Sequence, residues 1–166
     1  MRVRLPHDAG VSLIEILVGI SILAIVAFAV TLSVQPPADP LQVEATRLAV
    51  RLDQASQEAI ATGQPVGLVI GGFGETYGFY RYVDGRWWAL SDHPTLRERQ
   101  LPEGVQIDLS GSFAPVDADA GGAVFPAFWF DPAGLTEPFR LRLQSSDHAV
   151  EVARDGAGTI LVSELG

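Results

Sequence analysis

The chain has 166 residues, with 11 basic and 20 acidic side chains for a formal net charge of −9, and no cysteine. That length holds one compact domain besides any anchor, and the absence of cysteine excludes disulfide support and thiolate chemistry. The acidity argues against nucleic-acid binding, which relies on Lys and Arg to displace phosphate counterions, so no nucleic-acid partner is expected.

The first element is an apolar run from Val11 to Val34, preceded by Arg2 and Arg4. Its one charge is Glu15, and its other polar residues are Ser12, Ser21, Thr31 and Ser33. At ~1.5 Å per residue these positions make a helix of roughly 36 Å, enough to cross a hydrocarbon core about 30 Å thick with some tilt. A charged group costs on the order of 2.5–3.5 kcal/mol at the centre of a membrane helix, so Glu15 is expected to be paired. A secretory signal would have an h-region of about 7–15 residues ending in a small-x-small site. This run is longer, and the polar stretch before it stops at Gly10. Residues 35–44 contain Asp39 and Glu44 but no basic group, so the positive-inside tendency puts the N-terminus in the cytoplasm and the rest outside it.

The hexapeptide Gly10-Val11-Ser12-Leu13-Ile14-Glu15, followed by an apolar helix, resembles the type III signal of type IV pilins and type II secretion pseudopilins. The resemblance implies that a prepilin peptidase cuts between Gly10 and Val11, that Val11 is then N-methylated, and that Glu15 serves in assembly. The family usually has Phe and Thr at the first two mature positions, where this chain has Val11 and Ser12. Cleavage would remove Arg2, Arg4 and Asp8 and leave 9 basic and 19 acidic side chains, a net charge of −10. The new α-amine of one subunit can then meet Glu15 of the next. Opposite charges ~4 Å apart attract by about 4 kcal/mol at an effective dielectric near 20, before desolvation is subtracted. The plainer alternative is an ordinary anchor whose Glu15 snorkels to the interface.

Pro36 and Pro37 remove backbone donors and disfavour helix before them, which predicts a break at residues 35–39. Asp39 then reads as an N-cap, with Pro40 at N1 and Gln42 at N3 in a capping-box variant. Leu41, Ala45, Leu48, Leu52, Ala55 and Ala59 recur at three- or four-residue steps, while Arg47, Arg51, Asp53, Gln54, Gln57 and Glu58 spread over the other faces. This predicts an amphipathic helix over 40–62, laid against a domain and stopped at Gly63.

From Pro65 the period becomes two. Val66–Ile70 is short and apolar; Tyr77–Val83 and Arg86–Leu90 flank Asp84-Gly85, a type I′ hairpin signal. Val105–Leu109 alternates, as does Phe139–Leu143, which turns Phe139, Leu141 and Leu143 inward and Arg140 and Arg142 outward. Ala149–Ala153 and Thr159–Val162 read as a last hairpin around Asp155-Gly156-Ala157-Gly158. Seven or eight antiparallel strands in two packed sheets are expected, with 110–122, rich in Gly, Ala and Asp, as a loop.

Phe130-Asp131-Pro132-Ala133-Gly134, followed by Pro138-Phe139 and an alternating strand, resembles the C-terminal pattern of the GspH/FimT pseudopilins. Phe130, Asp131, Pro132, Gly134, Pro138 and Phe139 carry the match. Asp-Pro-Ala-Gly is turn chemistry, so the motif should order a connection between strands and not perform a reaction.

Catalytic patterns are weak. His7, His93 and His148 are scattered, and no paired metal-ligand spacing occurs. Ser146-Asp147-His148 has triad residue types, but triads are recognised in space, and a polar turn is the expectation. Gly71-Gly72-Phe73-Gly74 has no P-loop lysine and reads as a hairpin loop. Asp117 and Asp119 supply two acids without a full oxygen-ligand array, so no catalytic residue, metal or cofactor is expected. Of Trp87, Trp88, Phe128, Trp129 and Phe130, most are expected in the core. Trp87 and Trp88 are consecutive and point to opposite faces, which leaves one to cover the helix or to contact another subunit.

The expected fold is α+β and pilin-like: a long N-terminal transmembrane α-helix, then an antiparallel β-rich, two-sheet periplasmic domain. The expected segments are a leader at 1–10, a membrane helix at 11–35, a proline-broken continuation and amphipathic helix at 36–63, and the β domain at 64–166. The resemblance implies a non-enzymatic minor pseudopilin of the GspH type in the bacterial inner membrane, which helps export folded proteins across the outer membrane. Implied partners are the major pseudopilin, the other minor pseudopilins of a tip complex, the prepilin peptidase/methyltransferase, the inner-membrane assembly platform and membrane lipid. Two alternatives stay open: a FimT/FimU-like minor type IV pilin, and a membrane-anchored periplasmic binding module with an uncleaved anchor.

Overall fold

The computed structural model describes residues 12–33, 39–108 and 124–165, with backbone only at 29–33. The chain divides into two compact units between Ala38 and Asp39. The leader, Gly10, Val11, the Pro36-Pro37 break and the 110–122 loop with Asp117 and Asp119 lie outside the described residues.

In the first unit, α1 runs Leu13–Ser33. Its first turn is closed by the Ser12 carbonyl, which accepts from the Glu15 and Ile16 amides at 2.9 and 3.2 Å. Ser21 satisfies its hydroxyl on the Leu17 carbonyl at 2.8 Å. Every side chain described on α1 is exposed, Leu13 by 83 % and Leu23 by 68 %. A helix apolar all round needs cover from lipid or neighbouring helices. Among the described residues no helix is long and apolar enough to cross a membrane; the apolar run in the sequence extends beyond α1 at both ends, from Val11 to Val34.

The second unit starts with α2, Pro40–Thr62. Asp39 Oδ1 accepts from the Leu41 amide at 3.0 Å, and Gly63 ends the helix in the left-handed region at φ 66°. The capping box expected at Gln42 is not formed: its Oε1 accepts no hydrogen bond, and its Nε2 donates to Glu164 Oε1 at 3.3 Å on the last strand. Leu41, Ala45, Leu48, Leu52, Ala55 and Ala59 form the buried stripe as the spacing predicts. Arg51, expected on an outer face, is buried in that stripe together with Glu44.

Nine strands follow among the described residues, one or two more than expected. They are β1 Val66–Gly71, β2 Thr76–Val83, β3 Arg86–Ala89, β4 Arg99–Gln100, β5 Gln106–Asp108, β6 Phe128–Phe130, β7 Phe139–Gln144, β8 Ala149–Arg154 and β9 Ile160–Leu165. The two strands not assigned from the sequence are β4 and β6, which at two and three residues are too short to show a period. One sheet has the order β3-β2-β1-β6 with β4 also on β2, the other β5-β7-β8-β9, and every pairing is antiparallel. Asp84 and Gly85 both take positive φ, 51° and 80°, the type I′ geometry that matches strand twist. Gly74, in the β1–β2 loop, has φ 96°, and a Cβ there would lie 2.4 Å from the Ile107 carbonyl oxygen. Only glycine lets that loop approach β5 so closely.

The core lies between α2 and both sheets and includes Val66, Leu68, Tyr77, Phe79, Ile107, Leu141, Leu143 and Val152. Phe139, Leu141 and Leu143 face inward and Arg140 and Arg142 outward, as the alternation predicts. The aromatic expectation needs correction, because only Phe128 and Phe130 of the five rings reach the core. Trp129 alternates outward between them at 55 % exposure, and Trp88 on the edge strand β3 is 58 % exposed. Trp87 is half-buried against Tyr82, with ring centroids 5.1 Å apart.

Candidate functional site

Glu15 lies in the first turn of α1, exposed, and is the one charge of that helix. Its place near the helix N-terminus is favourable, because a carboxylate there faces the positive end of the macrodipole. The turn residues occupy a second position. Phe130 ends β6 and Phe139 opens β7, so the segment between them carries the chain from one sheet to the other. Asp131 Oδ1 accepts from the Ala133 amide at 2.7 Å, its carbonyl from Gly134 at 2.9 Å, and Gly134 takes φ 79°. Thr136 Oγ1 accepts from the Asp131 amide at 3.1 Å, and Arg154 Nη1 donates to the Thr136 carbonyl at 2.5 Å. Pro132 and Pro138 bracket this turn in the sequence. At its base Phe139 stacks on Phe128 at 4.1 Å and meets Phe130 edge-on at 6.0 Å. These contacts fix the crossing geometry.

A buried polar cluster joins α2 to the first sheet. Glu44, 1 % exposed, accepts Arg99 Nε at 2.7 Å and Nη2 at 3.1 Å, Arg47 Nη1 at 2.5 Å and the Tyr77 hydroxyl at 3.1 Å. Burial pushes the carboxyl pKa up, but the hydrogen bonds and charges of Arg99 and Arg47 outweigh it and hold Glu44 below its ordinary value of 4.5. The hydrogen bond to Glu44 in turn raises Arg99. Tyr77 is pushed up to about 12, chiefly by burial, against the opposing charge of Arg51. Arg51 donates from Nε to the Thr95 carbonyl at 2.6 Å and from Nη2 to the Arg97 carbonyl. Its guanidinium lies 4.7 Å from the Tyr77 ring centre and 5.5 Å from that of Phe79.

This cluster was missed in the sequence, although a signal existed. Glu44 stands three residues after Leu41 and four before Leu48, and Arg51 is placed likewise between Leu48 and Ala55, so both fall on the apolar stripe. Of the other candidates, His93 Nδ1 accepts from the Leu96 amide at 3.1 Å and shapes the β3–β4 connection. Ser146-Asp147-His148 forms the exposed β7–β8 turn, with Ser146 Oγ on Asp147 Oδ2 at 3.0 Å. Among the described residues no group of His, Asp or Glu could hold a metal ion.

An apolar N-terminal helix with one acidic residue in its first turn, followed by a second helix laid on antiparallel sheets, defines a pilin-like subunit. The comparisons make this specific. The family model described as "Type II transport protein GspH" matches residues 44–163, and the "Prokaryotic N-terminal methylation motif" matches residues 5–31. The "Type II secretion system protein H" of Aeromonas hydrophila is 28 % identical, covering 98 % of this chain and 93 % of that protein. Two structures of the minor pseudopilin EpsH from the type 2 secretion system of Vibrio cholerae share the fold. One has a TM-score of 0.60 at 21 % identity, covering 76 % of this chain and 98 % of EpsH. The other has 0.62 at 22 %, covering 77 % and 96 %. The chain belongs to the type II transport protein GspH family, the GspH-type minor pseudopilins of type II secretion.

Proposed function

We propose that this chain acts by assembly, as a non-catalytic subunit built into a periplasmic pseudopilus through its N-terminal helix. The supporting observation is the exposed Glu15, the lone charge of α1, five residues after Gly10. The prepilin peptidase cuts between Gly10 and Val11 and the new α-amine of Val11 is methylated, in keeping with the methylation motif over residues 5–31. The apolar run 11–34 holds the subunit in the inner membrane, N-terminus in the cytoplasm, with the β-rich unit in the periplasm. Extraction from the membrane into the filament exchanges lipid for the apolar faces of neighbouring helices. Glu15 then meets the terminal amine of an adjacent protomer, which neutralises both charges and sets the helix register. The major pseudopilin, the other minor pseudopilins of the tip and the inner-membrane platform are its partners, and the work done is export of folded proteins across the outer membrane.

Glu15→Val tests the pairing. Processing at Gly10 should persist, while incorporation into sheared pseudopili, read by immunoblot beside the major pseudopilin, should fall. Wild-type incorporation and secretion by that variant would sink the pairing role.

A further inference from the structure

The outer side of α2 and the β3–β4 connection, residues 90–98, bound an open groove of about 790 Å³, lined by Val43, Arg47, Val50, Arg51, Arg97 and Arg99 among others. Four of the chain's 11 basic side chains therefore meet in one place, on a protein with 20 acidic ones. The acidic groups facing them are Glu98 on the lining and Glu44 beneath it, and Glu44 is already engaged by Arg47 and Arg99. Arg51 has no carboxylate within ion-pair reach among the described residues. It is 7 % exposed, its donors go to two carbonyls, and its Nη1 lacks a hydrogen-bond partner. A buried cation without a counter-charge is costly, and an anion arriving in the groove would offset that cost. Arg97 is exposed above it and forms no ion pair among the described residues. Val43 and Val50, 40 % and 54 % exposed, give the groove an apolar flank.

We propose that this arginine groove is a docking surface for an acidic, partly apolar segment of another protein subunit, whose carboxylates sit between Arg97 and Arg47 above Arg51, which rests on carbonyls and aromatic rings and has no carboxylate partner among the described residues. The assembly reading supplies only where such a segment comes from, since the groove's chemistry does not depend on cleavage or on Glu15. Charge complementarity selects the occupant, because four arginines line the groove and an acidic segment supplies the counter-charge that a basic or neutral one does not.

Fluorescence anisotropy of labelled octaglutamate with the detergent-solubilised full chain tests the proposal. Octaglutamate should bind and weaken as salt is raised, and octaglutamine should not bind. Arg97→Glu, an exposed change that leaves the Arg97 carbonyl in place, should weaken binding about tenfold or more, as reversal of an interfacial charge does. Val50→Glu on the flank should also weaken it. Arg140→Glu on the outward face of β7 should leave it unchanged, and circular dichroism melts should show all three variants folded. Glu15→Val should bind like the wild type even where it fails to assemble, which separates this proposal from the pairing role. Equal loss in Arg97→Glu and Arg140→Glu, no octaglutamate binding, or binding only to phosphatidylglycerol vesicles would overturn it.

Discussion

Glu44 shows how one buried carboxylate holds a helix in place. It is shielded from water yet receives two arginines and a tyrosine hydroxyl. Such an ion keeps its charge only because its lone pairs are filled. Removing it in Glu44→Ala leaves Tyr77 and the arginines facing a void. The loss should be about 2–3 kcal/mol, below the ~3–5 of a fully buried pair, because Arg47 and Arg99 can turn to water; the urea midpoint of the full chain in detergent measures it. The lowered Glu44 pKa has a defined sign. Its contribution is present above the ordinary value of 4.5 and is lost as pH falls through the lower folded value. Acid titration of stability should therefore be flatter in Glu44→Gln. Tyr77 acts at the other end of the scale. Raised from 10.0 to about 12, it favours folding fully below pH 10.0 and loses that contribution as pH rises toward about 12. Tyr77→Phe should flatten the alkaline limb of the stability profile between those values, and an unchanged limb would contradict burial as the cause.

At the scale of elements, glycine and register decide what sequence patterns leave open. Gly74→Ala would press a Cβ against the Ile107 carbonyl in a left-handed backbone. A loss of roughly 1–3 kcal/mol, seen as a lower midpoint, is the expected result. The stripe of α2, the Asp39 cap, the Asp84-Gly85 turn and the alternation of β7 were legible, since each rests on local spacing or local turn chemistry. Other features were not. Arg51 was expected on an outer face and Glu44 was given none, because their partners, Arg99 on β4 and the carbonyls of Thr95 and Arg97 just before it, lie about fifty residues away. The two residues of β4 have no period to read. Trp88 and Trp129 carry the same apolar signal as Phe128 and Phe130, and only the choice of which sheet face packs on the core decides that they face outward. The turn motif at 130–139 was legible as turn chemistry, but its place as the crossing between two sheets required the topology.

At the scale of the whole molecule, the two units divide the labour that an assembled subunit needs. The first presents an apolar helix with one anion; the second presents an acidic body with an arginine-rich groove. Cleavage would make the mature chain more acidic, from −9 to −10, and would create the amine that Glu15 requires. Intact-mass analysis of the chain purified from membranes of cells with an active prepilin peptidase tests this directly. The expected mass lacks residues 1–10 and carries one added methyl group; a chain that still begins at Met1 would contradict cleavage after Gly10.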